Sequence, residues 1–79
     1  MYDCSGNDLI SMEFCPEYVG GYFNCGNNWL TSLEFCLDIV GKNFDCSGNK
    51  LSSLEGCPVS VGGDFSCGEN SIIFNFIFF

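Results

Sequence analysis

The groups in this 79-residue chain best able to do chemistry are seven cysteines and ten carboxylates, with Lys42 and Lys50 as the only basic side chains and no His or Arg. Cys4, Cys15, Cys25, Cys36, Cys46, Cys57 and Cys67 fall at intervals that alternate between 11 and 10 residues, and no C-x-x-C occurs. Zinc sites bring ligands together in pairs about two to four residues apart, with His often completing the set. The spacing therefore favours packing, since a free Cys is a small and commonly buried hydrophobe. A cysteine nucleophile would need Lys42, Lys50 or a carboxylate as its activator, and nothing in the sequence places one beside a thiol. Catalytic residues, cofactors and metal ligands are accordingly all expected to be none. A metal- or ion-binding Cys/Asp-rich solenoid is the alternative kept open, with hard cations between carboxylates as its ion-binding form. An odd number of thiols leaves at least one unpaired in a monomer, which favours a reducing intracellular compartment, or a virion, as the setting.

What positions these groups is a repeat. Tyr2, Phe23, Phe44 and Phe65 recur at steps of 21, as do Cys4, Cys25, Cys46 and Cys67, then Asn7, Asn28, Asn49 and Asn70, then Leu9, Leu30, Leu51 and Ile72. A second half keeps the same step in Met12, Leu33 and Leu54, in Cys15, Cys36 and Cys57, and in Val19, Val40 and Val61. A fixed period of this length is the mark of a solenoid, in which each unit covers the next. The chain divides into coils 2–22, 23–43 and 44–64 and a truncated fourth, 65–79, forming a single repeat domain.

Within a coil, Phe44 and Cys46 alternate with Asn43, Asp45 and Ser47, the period of a half-buried strand. One short parallel strand per coil is expected, with Asp3, Tyr22, Asn24, Asp45 and Asp64 on an outward, acidic strand face that is the candidate binding surface. Gly6, Gly26, Gly48 and Gly68 mark the strand exit. The Asn column behind them is expected to point inward and satisfy the backbone of the turns. After Leu51, the run Ser52-Ser53-Leu54-Glu55 is too short before Pro58 for a helix and predicts a turn, a 3₁₀ segment or a second short strand. Trp29 is the one large aromatic outside an inward column, a candidate interface anchor or a cover for a coil edge.

These residues resemble a leucine-rich repeat: Phe44-x-Cys46-x-x-Asn49-x-Leu51, and equally Phe23, Cys25, Asn28 and Leu30, fit the family's L-x-L-x-x-N-x-L core. The likeness is to the short bacterial and viral subtypes of about 21 residues with Cys in the third apolar place, and it spans residues 1 to 72. It departs at Gly41, where the family has Leu and this chain places Val40 one residue earlier. The turn into the strand is thus expected to be wide, and a flatter parallel β-solenoid is the rival to the family's horseshoe. The resemblance implies protein recognition, so a non-enzymatic module for protein–protein interaction or structural assembly, as part of a larger particle, a filament or a longer repeat array, is the expected function.

The net charge of −8 and the scarcity of cations exclude a nucleic-acid footprint and make anionic lipid an unfavourable surface. No secretory leader is expected, since Met1-Tyr2-Asp3-Cys4 already lies within the repeat. No transmembrane segment is expected either, because the apolar run 71–79 is far shorter than the about 20 residues a spanning helix needs. Phe74, Phe76 and Phe78 alternate as a further strand, and they are the expected assembly end.

Overall fold

The structure, a computed structural model, describes residues 1–13 and 15–72. Seven two-residue strands alternate along the chain: β1 (Tyr2–Asp3), β2 (Tyr18–Val19), β3 (Phe23–Asn24), β4 (Ile39–Val40), β5 (Phe44–Asp45), β6 (Ser60–Val61) and β7 (Phe65–Ser66). The odd strands form one parallel sheet in the order β1-β3-β5-β7, and the even strands form a second, β2-β4-β6. Every pairing joins residues 21 apart: Tyr2 with Phe23, Phe23 with Phe44 and Phe44 with Phe65 on one side, Val19 with Val40 and Val40 with Val61 on the other. The fold is a β-solenoid of stacked coils, with no helix among the described residues.

The second sheet is an addition to the one strand per coil that the sequence suggested. The extra strand forms where β-branched Val19, Val40 and Val61 turn inward, a residue type that suits a pleated surface. The run Ser52–Glu55, where a second strand was one of three expectations, is instead bend and turn, closed by the Cys57 N–H donating to the Leu54 carbonyl at 3.1 Å. The same turn recurs one coil earlier, from the Cys36 N–H to the Leu33 carbonyl at 3.0 Å. Val40, the residue out of place against the leucine-rich pattern, lies in β4.

Between the sheets lies a continuous core of vertical columns. Phe23 and Phe44 are fully buried and stack at 5.7 Å between ring centroids, Tyr2 and Phe65 extending the pile at 5.1 Å on either side. Cys25, Cys46, Leu30, Leu33 and Leu51 are completely inaccessible to solvent. This is why identical letters recur at 21: a parallel in-register stack sets like on like, about 4.8 Å apart, and only a residue that packs against its own copy is tolerated.

Glycine is required where coils touch through their backbones. Gly20, Gly41 and Gly62 form a column in which a Cβ on Gly41 would collide with the Gly20 carbonyl, and one on Gly62 with the Gly41 carbonyl. The expected strand-exit glycines sort differently from their reading in the sequence. Gly6 and Gly48 have φ of 67° and 70°, but the other members of their column are Asn27 at 54° and Glu69 at 54°. Gly26 and Gly68 belong one position earlier, with Ser5 and Ser47, and need no left-handed backbone. The turn demands a positive φ directly before each ladder asparagine, which Gly and Asn supply at little cost and Glu69 does not.

Candidate functional site

The inward asparagines hold the coils together. The Asn28 carboxamide donates to the carbonyls of Cys4, Cys25 and Gly26 at 3.1, 3.0 and 3.2 Å, while its Oδ1 accepts the N–H groups of Asn7 and Leu9 at 2.8 and 3.0 Å. Asn49 repeats this one step on, donating to Cys25 and Cys46 at 3.1 and 2.9 Å and accepting from the Leu30 N–H at 3.0 Å. Asn70 does the same with Cys46, Cys67 and Leu51. Each side chain thus satisfies backbone groups of its own coil and of the preceding one, which burial would otherwise leave unpaired. Asn7 donates only within its own coil, to Cys4 and Ser5, and among the described residues nothing donates to its Oδ1.

The two cysteine columns line the same core. Cys25 and Cys46 donate from Sγ to the Asp45 and Ser66 carbonyls of the following coil, each at 3.4 Å. Burial, reinforced by neighbouring thiols, pushes Cys36 and Cys46 up to about 12 and Cys25 higher still. Cys4 and Cys15, half-buried in the first coil, are raised chiefly by the same loss of water. A nucleophilic or metal-binding sulfur must be a thiolate, and this surrounding opposes one. Among the described residues no group of three or more Cys, Asp or Glu is gathered as metal ligands would be.

The outward strand face is less free than it looked. Asp3, Asn24, Asp45 and Ser66 form one row across the first sheet, so carboxylates alternate with neutral groups and adjacent like charges are avoided. Asp3 Oδ1 accepts from the Ser5 hydroxyl and N–H at 2.6 and 3.0 Å, and Asp45 Oδ1 from those of Ser47 at 2.6 and 2.9 Å. The Ser5 hydroxyl holds the Asp3 carboxyl below its ordinary range. Asn24 accepts from the Gly26 N–H at 2.8 Å in the same way. These side chains shape the strand exit as Asx turns. Tyr22 and Asp64 are exposed, their carbonyls accepting from Tyr2 and Phe44. Trp29, 52% exposed, bridges its neighbouring coils: its Nε1–H donates to Asp8 Oδ1 at 3.0 Å and the Lys50 ammonium sits 5.5 Å over its ring. Phe74, Phe76 and Phe78 lie outside the described residues.

Two features went unread in the sequence. The exact step of Gly20, Gly41 and Gly62 is visible there, but that it marks backbone contact between coils shows only in the structure. Asn43, whose Oδ1 accepts the Asp64 N–H at 2.9 Å, sits in a variable column and carries no signal.

What the ladders leave open is the face of the first coil. Tyr2, Cys4, Leu9, Met12 and Cys15 surround an apolar depression of about 320 Å³ floored by Phe23. The same columns one and two coils later are sealed: Tyr2 is 37% exposed where Phe23 and Phe44 are 1% and 0%. Comparison with protein-family models, with curated proteins and with solved structures finds no match to this chain.

Proposed function

We propose that this protein is a non-enzymatic, leucine-rich-repeat-like solenoid that works by protein–protein contact, as a binding part or a structural part of a larger assembly. The observation that carries the reading is the open, core-lined depression on the first coil, an apolar surface of the kind that marks interaction sites. Two further facts support it. The ladder asparagines and the Asp45 carboxylate are engaged in coil-to-coil and turn bonds, and burial holds the Cys25, Cys36 and Cys46 thiols protonated. A photo-reactive side chain at Leu9 should give adducts with protein, while one at exposed Ser52 should not. Leu9 adducts with water alone would overturn the reading.

A further inference from the structure

We infer that the outer face of the second sheet is a docking surface for a cationic segment of another protein, one that carries Lys or Arg with apolar side chains between them. This goes beyond the first-coil depression to a second face and to the chemistry of its partner. Residues 11–20, 32–41 and 53–62, the return halves of the first three coils, hold five of the ten carboxylates and neither lysine. Exposed apolar side chains stand among them. Tyr18, Ile39 and Val59 are 64%, 43% and 84% exposed along β2, β4 and the entry to β6, and Phe35, at the turn before β4, is 63% exposed. A groove of about 410 Å³ beside Phe35 is lined by apolar Pro16 and Leu37 and by acidic Glu17 and Asp38.

The two sheets treat their carboxylates oppositely. On the first, Asp3 and Asp45 are bonded to their own serines and separated by neutral Asn24. Beside the second, Glu17 and Asp38 lie one coil step apart, the Asp38 N–H donating to the Glu17 carbonyl at 3.3 Å. Among the described residues no donor reaches the side-chain oxygens of either. Adjacent like charges cost stability, and a cation laid across them recovers it.

Phe35 is a separate sign of the same surface. Its backbone is left-handed, with φ of 69°, where Gly56 fills the same place one coil on with φ of 86°. Glycine takes that conformation freely and a bulky residue does not. The ring is costly to the turn and mostly in water, so packing does not account for it. It has the form of an anchor for a partner's apolar or cationic side chain. A second copy of this chain is the wrong occupant: it carries −8, and of its two cations Lys50 already lies over Trp29. Anionic polymers and lipid headgroups are repelled for the same reason.

The test titrates the whole 79-residue chain into two dye-labelled peptides, an octapeptide alternating Lys with Leu and octalysine, read by fluorescence anisotropy and mapped by NMR amide shifts. The Lys-Leu peptide should bind, and more weakly as salt shortens the screening length from about 30 Å at 0.01 M to about 10 Å at 0.1 M. It should shift the amides of Phe35, Asp38 and Ile39 and leave those of Asn24 and Asp45. Phe35→Gly and Ile39→Ser write into coil two the letters that coil three already carries at Gly56 and Ser60. Each should weaken binding at least about fivefold, and Phe35→Gly should do so without lowering the urea midpoint. Glu17→Gln combined with Asp38→Asn should weaken it about tenfold and flatten the salt dependence, while Asp64→Asn, off this face, should change it less than about twofold. No binding, shifts confined to the first sheet, or a lowered midpoint for Phe35→Gly would overturn the proposal. So would octalysine binding equally to wild type and Phe35→Gly, which is diffuse charge alone, or displacement of the peptide by calcium at constant ionic strength, which assigns the face to a metal ion. Protein adducts at Leu9 beside a silent peptide titration would leave the first-coil reading standing and remove only this one.

Discussion

Replacing Asn49 by Ala tests whether the asparagine column is what fastens one coil to the next. Asn49 is 4% exposed and serves four sites: it donates to the Cys25, Cys46 and, at 3.4 Å, Ser47 carbonyls and accepts from the Leu30 N–H. The first two carbonyls keep a second donor, since Asn28 also reaches Cys25 at 3.0 Å and Asn70 reaches Cys46 at 3.1 Å. The Leu30 N–H, in a residue wholly buried, is orphaned. An unsatisfied buried donor costs about 1–3 kcal/mol and each of the two short lost bonds about 0.5–1.5 kcal/mol, so the variant should lose about 2–6 kcal/mol. Asn7→Ala is the control. It removes the same group from the same column, but at an exposed end where water replaces the two bonds to Cys4 and Ser5, and should cost about 1 kcal/mol or less. Urea unfolding, followed by Trp29 fluorescence and by circular dichroism, reads both. A chain of this size has only about 4–12 kcal/mol of total stability, so the difference would be plain in the midpoint. If the two variants fall within about 0.5 kcal/mol of each other, the asparagines are ornaments of the turn and the ladder argument is refuted.

Other outcomes follow from the same geometry. Gly41→Ala forces a Cβ against the Gly20 backbone and should cost about 3 kcal/mol or more, while Gly68→Ala, with nothing within 4 Å of the added carbon, should stay within about 0.5 kcal/mol of wild type in a urea titration. Alkali should unfold the protein. Unfolded thiols ionise near the ordinary 9.0 but folded Cys36 and Cys46 only at about 12, so the unfolded state binds fewer protons between those values. Stability is then whole below pH 9 and falls as pH climbs toward 12, by up to about 1.4 kcal/mol per pH unit for each such thiol, which a series of urea midpoints would show. A thiol reagent at neutral pH should label Cys25 and Cys46 only once denaturant is added, both being fully buried, and rapid labelling of either would revive a catalytic role. Elemental analysis of the purified protein should find no stoichiometric zinc, iron or copper; a whole equivalent would restore the metal-binding alternative.

Much of this fold could be read from letters alone because parallel in-register stacking converts sequence period into vertical columns. Phe23 over Phe44 and Cys25 over Cys46 were legible as soon as the step of 21 was seen. The second sheet was harder, since Val19, Val40 and Val61 sit beside Tyr18, Ile39 and Ser60, and a two-residue strand shows no alternation to recognise. The outward face misled for another reason. Asp3 and Asp45 look like free recognition groups, but whether a carboxylate faces a partner or its own serine two residues on is set by turn geometry that composition does not record. Trp29 found its place through Asp8 and Lys50, which share its column and no chemical type.

The most direct examination of stacked, in-register coils is a scalar coupling measured by NMR across the hydrogen bond from the Leu30 amide to the Asn49 side chain. The two residues are 19 apart in sequence and joined only if coil three lies squarely beneath coil two. A resolved coupling between the Leu30 amide nitrogen and the Asn49 Cγ, with amide contacts between Cys25 and Cys46 at about 4.8 Å, is the expected result. Its absence, with cross-strand contacts pairing residues in antiparallel order, would contradict the account.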